Sequence, residues 1–233
     1  MFAPASLRFL RGLAANNRKE WFEARRETYE REVRAPLREL VEEMDVRLAT
    51  VAPEIVGDTK RSLFRIHRDV RFSRDKSPYK THAACWFFHR AAGRSAAPHD
   101  NGGAAGLYFH LEPGGSIAAG GLYRPPREAL ARVREALAES HRPFERTLRG
   151  EFAERFGALT EELVLTRTPR GFPPDHPAAR WLRFASFTAS RAISDAEVCS
   201  PSLPDRLTAD FAALVPMVRW LNAALEFKPA KRR

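Results

Sequence analysis

Cysteine is nearly absent from this 233-residue chain, with Cys85 and Cys199 the only two. That is too few for a disulfide framework or a cysteine-rich metal site, and it points to a reducing, cytoplasmic setting. Long apolar runs are missing as well: none approaches the roughly 20 residues that cross a bilayer, so no membrane partner is expected. Neither GxxxxGK[ST] nor GxGxxG occurs, which excludes a nucleotide held on either familiar glycine-rich helix start. There is no GxSxG elbow and no HExxH pair. The seven histidines, His67, His82, His89, His99, His110, His141 and His176, lack paired ligand spacing, so no dedicated metal site is expected. No internal repeat or coiled-coil heptad is visible.

What is present suits a folded, water-facing protein. Hydrophobic residues make up 44% and charged residues 29%, ordinary for a globular chain that folds on its own apolar content. Its length fits one domain with a substantial core. Thirty-nine Lys and Arg against 29 Asp and Glu leave a formal charge of +10, which suits an anionic partner: a phosphorylated small molecule or, less favoured, nucleic acid. The excess is spread along the chain except at Lys228, Lys231, Arg232 and Arg233, which read as a solvated end. Near the start, Arg8 and Arg11 interrupt any apolar h-region, so that segment reads as an ordinary first helix.

Periodicity divides the single domain into N-terminal helices over 1–52, a sheet core with inserted helices over 60–191, and C-terminal helices over 194–227. Ser6 is placed to cap a helix carrying Leu7, Leu10 and Leu13. Asn17 and Glu20 have capping-box spacing for a second. Apolar positions then run at helical spacing through Val33, Leu37, Leu40, Met44 and Leu48 across Pro36, which predicts a kink or break near Arg34 and Ala35. Strands are predicted over Phe64 to Phe72, Ala83 to His89, Gly106 to Glu112, Ser116 to Tyr123 and Phe184 to Arg191, four of them forming an antiparallel meander. Gly120 and Gly121 mark a bulge or a close backbone approach. Arg90 to Ala105, rich in Ala and Gly, reads as a mobile inserted loop. Helices are expected after Pro125-Pro126, around Phe144 to Leu148, over Glu151 to Phe156, after an Asp175 cap, and from Pro204 to Phe227. The fold class is α+β, an antiparallel sheet of about four or five strands flanked by N-terminal and C-terminal helices.

Chemistry concentrates in Lys60 to His82, KRSLFRIHRDVRFSRDKSPYKTH. Strand alternation sets Phe64, Ile66, Val70 and Phe72 on one face and Arg65, His67, Asp69 and Arg71 on the other. Arg68 falls on the apolar face and needs a carboxylate, which Asp75 can supply by folding back. Arg65 and Arg71 flank Asp69, and the Ser77-Pro78 turn lets Lys76 and Lys80 point back toward the strand end. Either this is an internal Arg–Asp network that fixes a loop, or the cations outnumber Asp69 and Asp75 and leave a phosphate or carboxylate site. The ligand-binding candidates are Arg65, Arg68, Asp69, Arg71, Asp75, Lys76 and Lys80. Downstream, Thr168 to Pro177 is a stiff proline-rich loop carrying Arg170 and Asp175, with Arg167 just before it as a further ligand-binding candidate and His176 as the candidate acid or base. It is expected to close the same site.

Asn16-Asn17 with Trp21-Phe22, the Lys60 to His82 stretch, GGLYRP from Gly120 and RTPRGFPPDHP from Arg167 together resemble the family catalogued as domain of unknown function 2461, over about Leu7 to Leu225. The resemblance implies a stand-alone microbial protein and brings no assigned activity, cofactor or catalytic residue. Two departures stand out: His67 occupies a position where Tyr is more usual, which argues against an essential catalytic role for it, and the Arg90 to Ala105 loop is longer and richer in Ala than expected. The functional expectation is binding of an anionic small molecule, with hydrolysis or transfer open. Sequence-independent nucleic-acid binding and a purely structural charge network are the alternatives.

Overall fold

The computed structural model of the chain describes residues 1–92 and 103–229. The body of the Ala- and Gly-rich loop and the last four residues, with the expectations that fall on them, lie outside the described residues. The two ends of that loop belong to the core: Ala92, Ala104 and Ala105 are buried, and the Asn222 side-chain amide brackets the Ala105 backbone at 2.8 and 3.1 Å.

The chain opens with α1 (Pro4–Ala15), α2 (Lys19–Glu23), α3 (Arg26–Tyr29) and α4 (Ala35–Val51). Ser6 caps from inside the first turn, its Oγ accepting the Ala3 N–H at 3.2 Å. Between α3 and α4 the backbone makes a π-helical turn, Glu30–Arg34. Pro36 has no N–H for the carbonyl four residues back, and the helical ladder slips by one residue there, where the sequence predicted a kink or break. The expected Asn17–Glu20 box does not form. The start of α2 has no side-chain cap, and the Asn17 amide instead pairs with the backbone of Tyr79, donating to its carbonyl at 2.8 Å and accepting its N–H at 3.0 Å.

Five antiparallel strands follow in sequential order: β1 (Ile55–Val56), β2 (Ala83–His89), β3 (Gly106–Leu111), β4 (Ser116–Leu122) and β5 (Phe187–Ile193). The predicted Phe64 to Phe72 strand is not one. Leu63 makes a single bridge to Cys85, after which the chain leaves the sheet and closes a small hairpin through a bridge between His67 and Tyr79. Ile66 stays buried, but Phe72 is 96% exposed, so the assumed apolar face dissolves beyond Ile66. The last strand begins three residues later than expected, at Phe187.

Between β4 and β5 lie α5 (Arg127–Glu139), α6 (Arg142–Thr147), α7 (Glu151–Phe156) and α8 (Ala179–Leu182). After β5 come α9 (Asp195–Val198) and α10 (Leu203–Ala224). A capping box between Ser194 and Glu197 starts α9. Asp175 does not cap α8; the Ala178 N–H is taken by Nδ1 of His176 at 3.0 Å.

Strand alternation sorts the sheet into two faces. Cys85, Phe87, Leu107, Phe109, Ala118, Phe187 and Ala189 lie in one continuous apolar core that also holds Met44 and Leu48 of α4 and Phe211, Leu214 and Val218 of α10. The alternate residues form the other face, where Trp86 and Phe88 make a small separate cluster with Val56, Phe64 and Tyr108. Gly121 has φ +125°, and an added Cβ would sit 2.0 Å from the Phe187 carbonyl oxygen. This is the close backbone approach expected of the glycine pair.

Candidate functional site

A cavity of about 730 Å³ lies on that second face, within the size range of small-molecule sites. The β2–β3 register pairs Trp86 with Tyr108 and Ala84 with His110. The β3–β4 and β4–β5 registers continue the first row to Ala119 and Ser190 and the second to Ile117 and Ala192, and Gly106, Gly121 and Thr188 make a further row. Small residues of β4 and β5 therefore make a low floor, and Phe64, Trp86, Tyr108 and Tyr123 make aromatic walls. Lys80, His82 and His110 bring polar groups to the cavity, as do Arg124 and Glu162, the last two only 3.6 Å apart. The Trp86 indole N–H is buried with no hydrogen-bond acceptor among the described residues.

Of the ligand-binding and catalytic candidates named from the sequence, only Lys80 lines this cavity. It is half-buried, its ammonium lies 5.2 Å from the centre of the Phe64 ring, and no carboxylate pairs with it among the described residues. Burial, with the charge of Arg65 adding, pushes its pKa below the ordinary lysine value.

The rest of the cluster forms an exposed loop. Asp75 takes Arg68 together with the hydroxyl and backbone N–H of Ser77 at 2.6 and 2.9 Å. Those Ser77 bonds, then Arg68, hold its carboxyl well below the usual range. Arg71 grips Asp69 through two nitrogens at 2.7 and 3.0 Å and lowers its pKa to about 2. Lys76 donates to the Val70 carbonyl at 2.9 Å. Arg65 and Arg74 are exposed and form no ion pair among the described residues, although the charge of Arg65 acts on the Asp69 carboxylate. Arg167 is exposed, and the His176 ring accepts the Ala178 N–H. No hydrogen bond or ion pair joins either residue to this cluster among the described residues.

The sequence reading missed a constellation at one end of the cavity. Extending the β2–β3 register by one residue sets His82 opposite Glu112, so His82, His110 and Glu112 share the cavity face. One ligand-capable atom from each lies within 4.8 Å of the others. His110 Nε2 is 3.1 Å from Glu112 Oε2, its Nδ1 is 2.9 Å from the Tyr108 hydroxyl, and the two imidazole centres are 4.3 Å apart. Burial, with the neighbouring His110 and Lys80, pushes the pKa of His82 down to about 4. The available signal was His110 and Glu112 at strand spacing, i and i+2, where a metal motif on a helix needs i and i+4.

The fold and this cavity define an α+β protein whose meander sheet carries helices on one face and a ligand-sized hollow on the other. The chain belongs to the family described as conserved hypothetical protein (DUF2461), whose model matches residues 5–220. No curated protein and no solved structure matches it.

Proposed function

We propose that this protein binds a small molecule with a flat or apolar body and an acidic group in the cavity on the second face of the sheet, with Lys80 meeting the acidic group. The observation that carries this reading is Lys80 itself. An ammonium group drawn half out of water onto a cavity wall, with no carboxylate to balance it among the described residues, costs stability until an anion arrives. Tyr108 and Tyr123 suit a planar body. Arg65 and Arg74 on the nearby loop would steer anions toward the site in a salt-dependent way.

The test is a thermal-shift screen in the presence of EDTA with aromatic carboxylates, sugar phosphates and nucleoside monophosphates, run on the parent and on Lys80→Met. Methionine keeps a stem of similar length against Phe64 and removes the charge. A ligand at 100 times its dissociation constant stabilises by roughly 2.7 kcal/mol. For a chain of this size that is a rise of about 5–11 °C. The expected result is a shift in the parent that is lost in Lys80→Met. Silence across the panel, or equal shifts in both proteins, refutes the reading.

Sequence-independent nucleic-acid binding keeps one observation in its favour. The bare Phe72 ring sits 5.9 Å from the Arg71 guanidinium, on a loop where a base can stack beside cations. Salt-dependent binding of a single-stranded oligonucleotide that Phe72→Ala weakens would favour this second reading.

A further inference from the structure

We propose that His82, His110 and Glu112 form a binding site for one divalent first-row transition-metal ion at the end of the cavity. The donor set is two imidazole nitrogens and one carboxylate oxygen, which suits zinc-like ions and is a poor match for Mg²⁺ or Ca²⁺, whose ligands are oxygens.

The spacing supports one shared ion. Ligand bonds of about 2.0–2.2 Å at tetrahedral angles set neighbouring donors roughly 3.3–3.5 Å apart. His110 Nε2 and Glu112 Oε2 stand 3.1 Å apart. The third donor, from His82, lies within 4.8 Å of both, so a small rotation of one side chain closes the set. No hydrogen-bond partner occupies the His82 ring among the described residues, which leaves a nitrogen lone pair to give.

The outer contacts match those of a ligating histidine. Such residues hold their second ring nitrogen against an oxygen that fixes tautomer and orientation, and Tyr108 Oη does this for His110 Nδ1 at 2.9 Å. With a metal on Nε2, Nδ1–H donates to the phenol oxygen. Ser116 Oγ clamps the backbone of Glu112, accepting its N–H at 3.0 Å and donating to its carbonyl at 2.9 Å. No Lys or Arg pairs with Glu112 among the described residues, so its negative charge remains for a cation. His82 and His110 line the cavity, so the open coordination position faces the hollow. The proposal stands on these three residues and not on Lys80, although an acidic ligand held by Lys80 would have the ion within reach.

The experiment titrates Zn²⁺ into the full chain after EDTA treatment and removal of the chelator, in a buffer free of phosphate and carboxylate. His82→Gln, His110→Gln, Tyr108→Phe and the remote His141→Gln are carried in parallel, each checked by circular dichroism. The expected result is one Zn²⁺ per chain, with at least tenfold weaker binding in His82→Gln and His110→Gln, a smaller loss in Tyr108→Phe and none in His141→Gln. Co²⁺ bound to the parent should give the intense visible bands of a low-coordinate site, absent from His82→Gln. If His110→Gln fails to fold, His82→Gln and the Co²⁺ spectrum decide. A Zn²⁺ isotherm that is unchanged in His82→Gln, or no binding by the parent, overturns the proposal. Because Lys80 is intact here and the anion screen is run in EDTA, either reading can fail without the other.

Discussion

Replacing Arg191 with leucine should strand the carboxylate of Asp210. That side chain has no solvent exposure and is held by Arg191 Nε and Nη2 at 3.0 and 2.6 Å and by Arg155 Nη1 at 3.2 Å. Arg191 also reaches Glu197 at 3.2 Å, so one guanidinium ties β5 to α9 and α10. Removing one partner of a buried pair leaves a charge uncompensated, which costs about 3–5 kcal/mol. Arg155 remains on the other oxygen, so the lower end applies, and at about 2–4 °C per kcal/mol a loss near 3 kcal/mol lowers the melting temperature by roughly 6–12 °C. Urea denaturation followed by circular dichroism gives the free energy directly. Adding Asp210→Asn to Arg191→Leu removes the stranded charge and should recover at least about 1 kcal/mol, within the range of coupling between contacting residues. An Arg191→Leu protein within about 1 kcal/mol of the parent, or a double variant no more stable than the single, would refute this account of the buried pair.

Arg68→Ala should cost no more than about 1 kcal/mol in the same assay, because Arg68 and Asp75 form a partly exposed ion pair outside the sheet. A loss above about 3 kcal/mol would restore the buried role that the sequence suggested for Arg68. Glu197 should contribute to acid sensitivity. The Ser194 backbone N–H, joined by the Ser194 hydroxyl and Arg191, lowers its pKa from 4.5 to about 2, so its contribution is complete above pH 4.5 and is lost as the pH falls toward 2. Glu197→Gln should flatten the stability–pH curve in that window, and a curve parallel to the parent's would count against the assignment.

Much of the fold was legible because its strands and helices follow their own periods. AACWFFH is buried at every position while GLYFHLE and SIAAGGL alternate, and all three appear within a residue of where the sequence put them. The Phe64 to Phe72 segment alternates just as well and fails as a strand. Its alternation reflects a short hairpin anchored by Leu63, Ile66 and Tyr79, and nothing in the local pattern says that the chain leaves the sheet after Leu63. β1 has only two residues, too few to show any period. The site was less legible. Charge density drew attention to Arg68, Asp69, Arg71 and Asp75, whose exposed pairs satisfy one another on a loop. The cavity groups are instead spread over the alternate positions of four strands, and His82 meets His110 and Glu112 only through cross-strand register, which depends on strand pairing and not on spacing in the chain.

The bracket that Asn17 makes on Tyr79 bears on how the cavity wall comes and goes. Both backbone bonds of Tyr79 are completed by a side chain from the turn between the first two helices, a mimic of a neighbouring strand where the sheet supplies none. The Tyr79 ring stacks on Phe22 of α2 with centres 4.2 Å apart, and Lys80 is the next residue. The segment that presents Lys80 is therefore fastened to the N-terminal helices, and it should open with them as one cooperative unit. In native-state hydrogen exchange the Tyr79 amide, although outside any strand, would share the protection of α1 and α2, and loosening of those helices would release Lys80 from the cavity.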